Sequence, residues 1–384
     1  MAIYKLFPEK DATLYSAHPN QNTGLDEILE VSTTFVPSAP QVSRFLIQFS
    51  TDEIQNLVND TISGSVTDIT GSLLTESKDY KSYLKCFIAE IEGINTNTTL
   101  EVFPLAESWN MGTGKFHDSP KTGNGCTWAN RLASGSGPWK TESFDAGTTG
   151  SFLDDNKGGG VWYVSYETSS FTQSQVLSYS SDKDLNIEVT DATKLFYSES
   201  ITNNGFIVKQ SSNSEFQPDE SKVADIKYFS IDTHTIYPPE LEFRWRDYKF
   251  DTGSSVTTII TSSQIVATLA ENKNFYRRDS IQNFRINCRP QFPTKTYTTS
   301  SDYTVNHYLP TASYYAVKDL DTNEFIIDFD TTYTQISADE KGSYFKLYMN
   351  GLEPERYYQL LFKTEIDGST LILDDNYYFK VING

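Results

Sequence analysis

The chain has 384 residues, a net charge of −20, 38% hydrophobic residues and 14% aromatic ones, with 24 Tyr and 24 Phe. That length suits two domains rather than one. The acidic balance argues against direct nucleic-acid binding, which needs clustered Lys and Arg to displace counterions, and no apolar run is long enough to span a membrane. Aromatic and β-branched residues fit pleated, half-buried surfaces, so the composition predicts an all-β protein with ample core material.

In chain order, the start, Met1-Ala2-Ile3-Tyr4-Lys5, carries no basic region followed by an apolar stretch, so a protein made in a cytoplasm without a secretory signal is expected. Short strand-like runs follow at Ile28–Ser32, Arg44–Phe49, Tyr83–Ile91, Leu100–Leu105, Val161–Tyr166 and Phe206–Lys209, separated by Ser, Gly, Asn and Asp clusters. Ser50-Thr51-Asp52-Glu53 has capping-box spacing, and Ile54, Leu57 and Val58 then share one face, which predicts a helix. A second short helix is predicted from Thr190, whose hydroxyl would cap the amide of Ala192 or Thr193 while Leu195 and Phe196 anchor it. Residues 61–82 read as an irregular insertion, and residues 110–160 as long Gly/Ser/Thr-rich loops across one end of a sandwich. Leu241-Glu242-Phe243-Arg244-Trp245 alternates like a last strand, and Thr252–Ser263 looks like a crossing into new structure. The expected domains are therefore 1–250 and 251–384.

Candidate chemistry is sparse. Three cysteines, Cys86, Cys126 and Cys288, allow at most one internal disulfide and lack metal spacing. His117 and Cys126 lie nine residues apart, but nothing marks the third group that a thiol–imidazole pair needs for orientation, so Cys126 reads as structural. Asp319-Leu320-Asp321-Thr322-Asn323 has the 1-3-5 oxygen spacing of a calcium loop. Glu324 replaces the required Gly and Asp330 the bidentate Glu, so a β-hairpin turn is the stronger reading. Asp154-Asp155-Asn156, before Gly158-Gly159-Gly160, is a candidate for one structural calcium ion, and no other cofactor is expected. Fifty-one acidic residues nominate no particular pair for glycoside hydrolysis. Trp139, in Gly135-Ser136-Gly137-Pro138-Trp139, is the candidate for exposed contact with a glycan or a protein neighbour, with a ring folded over its own loop as the alternative.

Several fragments carry a resemblance in their order and spacing: Lys10-Asp11-Ala12-Thr13-Leu14, Asn20-Gln21-Asn22-Thr23-Gly24, Ser43-Arg44-Phe45-Leu46-Ile47-Gln48-Phe49, Ser108-Trp109, Cys126-Thr127-Trp128, Asn186-Ile187-Glu188-Val189-Thr190-Asp191 and Asn203-Asn204-Gly205-Phe206-Ile207-Val208. Together they resemble the DNRLRE-type β-sandwich domains, relatives of carbohydrate-binding modules, over roughly residues 8–248. The resemblance implies packing roles for Trp109 and Trp128, a structural ion pair or backbone contact for Arg44, and a turn in which Gly24 relieves a positive φ. Asn350-Gly351-Leu352-Glu353-Pro354-Glu355-Arg356-Tyr357-Tyr358 resembles the tyrosine corner of fibronectin type III-like domains, with Tyr358 as the corner and Tyr357 on the other side. The expected fold is thus a jelly-roll-like β-sandwich followed by an Ig-like β-sandwich, with one or two short helices.

More narrowly, Asp232-Thr233-His234-Thr235-Ile236-Tyr237-Pro238-Pro239-Glu240-Leu241-Glu242-Phe243-Arg244-Trp245 and the Gly351–Tyr358 tail look like structural virion proteins of tailed bacteriophages, the myophages of marine bacteria and cyanophages among them. That resemblance implies a non-enzymatic part of the neck, tail, baseplate or head surface. Its partners would be other virion proteins and further copies of itself in a ring or other homo-oligomer. A glycan-binding adhesin that contacts the host envelope is the alternative, and a polysaccharide-degrading enzyme the third reading.

Overall fold

The computed structural model describes residues 2–34, 40–62, 80–93, 97–133, 137–140, 147–150, 158–215, 224–253, 258–292 and 306–383. The protein is all-β, with a few short helices between strands. It divides into two units. One comprises the described residues from Leu6 to Glu242 except Tyr80; the other runs from Phe243 onward and includes residues 2–5 and Tyr80. The division falls at Glu242/Phe243, upstream of residue 250, because Trp245 already packs edge-on against Tyr348 with ring centres 5.4 Å apart. The N-terminus joins the C-terminal unit for a reason that no local pattern carries. Ile3 lies in that unit's apolar core, and Asn350 Nδ2 donates to the Lys5 carbonyl at 2.8 Å.

The N-terminal unit is dominated by one antiparallel sheet in the order Ser174–Leu177, Thr98–Pro104, Phe206–Gln210, Gln41–Phe49, Ile28–Thr34, Asp225–Phe229 and Ile88–Glu92, with Pro8–Tyr15 also paired to Gln41–Phe49. The run Tyr83–Ile91 is not one strand. It breaks at Phe87 into Tyr80–Cys86, which pairs with Leu185–Glu188, and Ile88–Glu92, which joins the large sheet. Asp184 Oδ1 accepts the Ile88 amide at 2.8 Å, satisfying the backbone where the chain changes sheet.

Ser50 Oγ accepts the Glu53 amide at the start of the Thr51–Asn56 helix, which continues as a π-helical turn through Ile62. Ile54, Leu57 and Val58 are buried, as their spacing predicts. The second helix, Thr190–Tyr197, is capped differently from the expectation. Val189 occupies the cap, and Thr190 Oγ1 instead accepts the Ser82 amide and donates to Glu188. The hydroxyl ties the helix to the neighbouring strand rather than to its own first turn. Phe196 is buried against Phe206, whereas Leu195 is only half-buried.

The C-terminal unit is a two-sheet sandwich. One sheet contains Ile281–Pro290 between Gly342–Tyr348 and Ile265–Leu269; the other runs Phe275–Arg277, Ser369–Ile382, Tyr357–Ile366, Ser313–Asp319 and Phe325–Ile327. Their inner faces meet in an aromatic column: Phe345 stacks on Tyr315 at 4.3 Å and on Phe284 at 5.3 Å. The Asp319–Asn323 segment is a hairpin turn. Asp319 accepts the amides of Asp321 and Thr322, and both its oxygens also receive Arg356.

Tyr358 is the corner tyrosine. Its ring is buried and its hydroxyl donates to the Glu353 carbonyl at 2.9 Å, while Tyr357 points outward. Tyr358→Phe should therefore lower stability by about 1 kcal/mol, the value of one such bond, without changing strand content. Urea unfolding followed by circular dichroism reads this directly; an unchanged midpoint would mean that packing alone holds the corner.

Candidate functional site

The loops at 108–133 and 137–140 converge on the end of the N-terminal sheet and are tied there by buried polar groups. Asn22 is the central knot. Its Nδ2 donates to the carbonyls of Met111 (2.6 Å) and Cys126 (2.8 Å), and its Oδ1 accepts the Gly114 amide at 2.8 Å. Gly24 does not adopt a positive φ, contrary to the turn expected for it. Glycine is required there by contact instead, since a Cβ would sit 2.2 Å from the Met111 carbonyl oxygen. Gly24→Ala should force the loop away and cost about 1–3 kcal/mol, the range for overpacking a closed site. Thermal unfolding would show a lowered midpoint, and a wild-type melt would contradict the tight approach.

Arg44 lies at the base of these loops and is fully buried. Its Nε and Nη2 donate to the two carboxylate oxygens of Glu215 at 2.9 and 2.8 Å, and Nη1 donates to the Gly159 carbonyl at 2.7 Å. The guanidinium also faces the rings of Trp128 at 4.9 Å and Trp162 at 5.3 Å. Lys209, 1% exposed, lies 3.7 Å from Glu215 and 3.0 Å from Glu101. Two cations thus face two carboxylates, which is the condition under which buried charge is tolerated. Glu215 comes from the short Ser212–Glu215 helix, whose polar sequence gives no sign of burial.

The tryptophans are spent on this architecture. Trp109 Nε1 donates to the Asn204 carbonyl at 2.9 Å, and Lys10 lies over its ring while donating to its carbonyl. Trp139 is 4% exposed, and its Nε1 donates to the Thr127 carbonyl at 2.9 Å. A stacking platform needs a free ring face, so Trp139 is not the surface contact that its small-residue loop suggested; the ring folds over its own loop. Cys126 is fully buried, and burial pushes its thiol up to about 12, with Lys10 pulling the other way. His117 is exposed, with its ring packed edge-on against Phe116 at 5.2 Å. Asp154-Asp155-Asn156 and most of the 61–82 insertion lie outside the described residues, as does part of Thr252–Ser263. Among the described residues, no group of three or more His, Cys, Asp or Glu is placed to hold a metal ion.

A different feature of the same unit is concave: a groove of ≈ 520 Å³ over the sheet near Ile28, walled by the Lys115–His117 loop. Asp26, Glu27, Glu30 and Glu90 line it, opposed by Lys115 and Lys227. Glu30 is held by the hydroxyls of Tyr15, Ser32 and Ser43. Asp26 accepts the Phe116 amide with both oxygens at 3.1 Å, yet burial still raises its pKa above the usual carboxylate range. Asp225, beside Lys227 at 3.5 Å, is raised for the same first reason. Glu27 and Glu90 remain about half exposed at the rim. Sequence reasoning missed this groove because its members are drawn from positions 15 to 227 with no shared spacing.

Comparison with protein-family models gives no match, and comparison with curated proteins gives none.

Proposed function

We propose that this chain is a non-enzymatic structural component of a tailed-bacteriophage particle, mounted on the neck, tail, baseplate or head surface and acting through protein–protein contacts. The observation that supports the reading is how the loop end of the N-terminal unit uses its polar groups. Asn22, Arg44, Glu215, Lys209 and the tryptophans are committed to holding loops in place. Side chains arranged this way give a rigid, preorganised surface, which repeated assembly contacts require. The resemblance of the Asp232–Trp245 and Gly351–Tyr358 segments to virion proteins supplies the particle context. Mass spectrometry of gradient-purified, denatured particles tests it: the chain should be present in a fixed ratio to the major capsid protein, and its absence would sink the reading.

The glycan-binding adhesin is the second reading, and the acid-lined groove is what favours it. Paired carboxylates beside Lys115, Lys227 and aromatic rings offer both acceptors and donors to sugar hydroxyls. Calorimetric titration with envelope polysaccharide of the host would show saturable binding abolished by Glu90→Lys; no heat of binding removes this reading.

A further inference from the structure

The outer face of one C-terminal sheet carries exposed aromatic rings and, beside Lys380 held by Glu355 at 2.5 Å, two further cations, on a chain whose net charge is −20. Strand register places its residues side by side. Phe275 lies opposite Lys380, and Lys380 opposite Tyr357; in the next row Tyr378 lies opposite Gln359, which pairs with Lys318, which pairs with Phe325. Phe275, Tyr357, Tyr378 and Phe325 are 55%, 47%, 38% and 46% exposed. With Leu320, whose amide bonds to the Tyr357 carbonyl, they expose on the order of 500 Å² in two neighbouring rows. That lies in the upper part of the range for the largest bare patch on a monomer, a patch that is often functional, and below the ~800 Å² that each partner gives to a standard interface. Inner-face neighbours such as Tyr358 and Phe379 are buried, so the exposure belongs to this face and not to a loose sheet.

Charge selects the occupant. Lys318 and Arg277 have no acidic partner among the described residues, and Lys318 lies over the Phe325 ring at 5.7 Å. Packing this face on itself would bring the two cations of both copies into one interface, a like-charge accumulation that costs affinity. Acidic surface is what the face complements, and this chain carries it in concave form: a groove whose four carboxylates outnumber the two lysines, Lys227 beside Glu90 at 2.7 Å and Lys115 near Glu27 at 3.9 Å, with both glutamates half exposed at its rim. We propose that the aromatic and cationic sheet face is an assembly surface that docks into the acidic groove of a second copy of the chain, head to tail. Such a contact is heterologous, so it propagates into a ring or a filament rather than closing as a two-fold dimer. The inference rests on the structural-component reading and names its partner.

Sedimentation velocity on the full chain across a concentration series tests it. Reversible association is expected, weakening at least about tenfold from low to high salt as surface charges are screened. A face variant, Lys318→Glu with Arg277→Glu, and a groove variant, Glu27→Lys with Glu90→Lys, should each sediment as monomers with unchanged circular dichroism. Mixed together, they should form a one-to-one complex and nothing larger, since only one intact face and one intact groove remain. Tyr357→Ser is the uncharged check and should weaken association at every salt concentration. Monomeric wild-type protein at all concentrations would overturn the proposal, as would a mixture that stays monomeric or a groove variant that still associates. A monomeric chain that mass spectrometry nevertheless finds in particles would reject this contact alone and leave the structural reading standing.

Discussion

Arg44→Ala is expected to destabilise the N-terminal unit by about 3–5 kcal/mol, the cost of stranding a buried partner of an ion pair. Glu215 would keep its burial and lose both guanidinium bonds, with only Lys209 at 3.7 Å left beside it. The loss reaches further than one pair. Arg44 also holds the Gly159 carbonyl and fills the space between Trp128 and Trp162, so the loop end loses its anchor. Glu215→Gln should also destabilise, because the amide oxygen still accepts one guanidinium bond but the buried Arg44 loses its counterion. Replacing both, Arg44→Met with Glu215→Leu, should recover much of the loss, since a buried pair exchanged for apolar groups of similar volume is often neutral. Urea denaturation of the three variants separates these cases. Equal stability of Arg44→Ala and wild type would mean that the pair does not hold the loops.

The second large effect is a pH dependence carried by Asp11. This carboxylate is buried on the Pro8–Tyr15 strand, and burial pushes its pKa from 3.8 up to about 8, against the opposing bond from the Ile231 amide at 2.7 Å. Asp232 nearby adds to the rise. The folded state therefore holds a proton that the unfolded chain releases above about pH 4. Stability is greatest below the unfolded pKa and falls as pH rises, by at most about 1.4 kcal/mol per pH unit, until it levels above the folded value near 8. Asp11→Asn keeps an acceptor for the Ile231 amide and removes the ionisation. The variant should match wild type at acid pH, become the more stable protein at alkaline pH, and lack the slope between. Denaturation midpoints across that range decide the matter; the same slope in both proteins would place the titration elsewhere.

Local patterns made part of this molecule legible. The run Arg44–Phe49, with Phe45, Leu46 and Ile47 consecutive, predicts a strand, and the structure buries it on both faces and extends it at its start to Gln41. Ser50 with Glu53, and Tyr358 after Pro354, are short-range devices whose partners lie within five residues, so sequence alone specifies them. What the sequence hid is long-range. Glu215 meets Arg44 across 171 positions, and Ile3 enters the core of a unit that begins at Phe243. Thr190 had two competing partners for one hydroxyl, its own helix and the next strand, and spacing does not rank them. Trp139 was misleading because Gly, Ser and Pro around a large ring signal a loop, not whether the loop closes over it. The groove needed four strands and the loops at Asp26 and Lys115 brought together before its charge could be seen.

Gold labelling of intact phage particles with antibody raised against the full chain tests the central claim most directly. Discrete label at one structural level of the particle, in the neck, tail, baseplate or head surface, is the predicted result. Unlabelled particles, from a preparation in which the denatured proteins also fail to react with the same antibody, would contradict it.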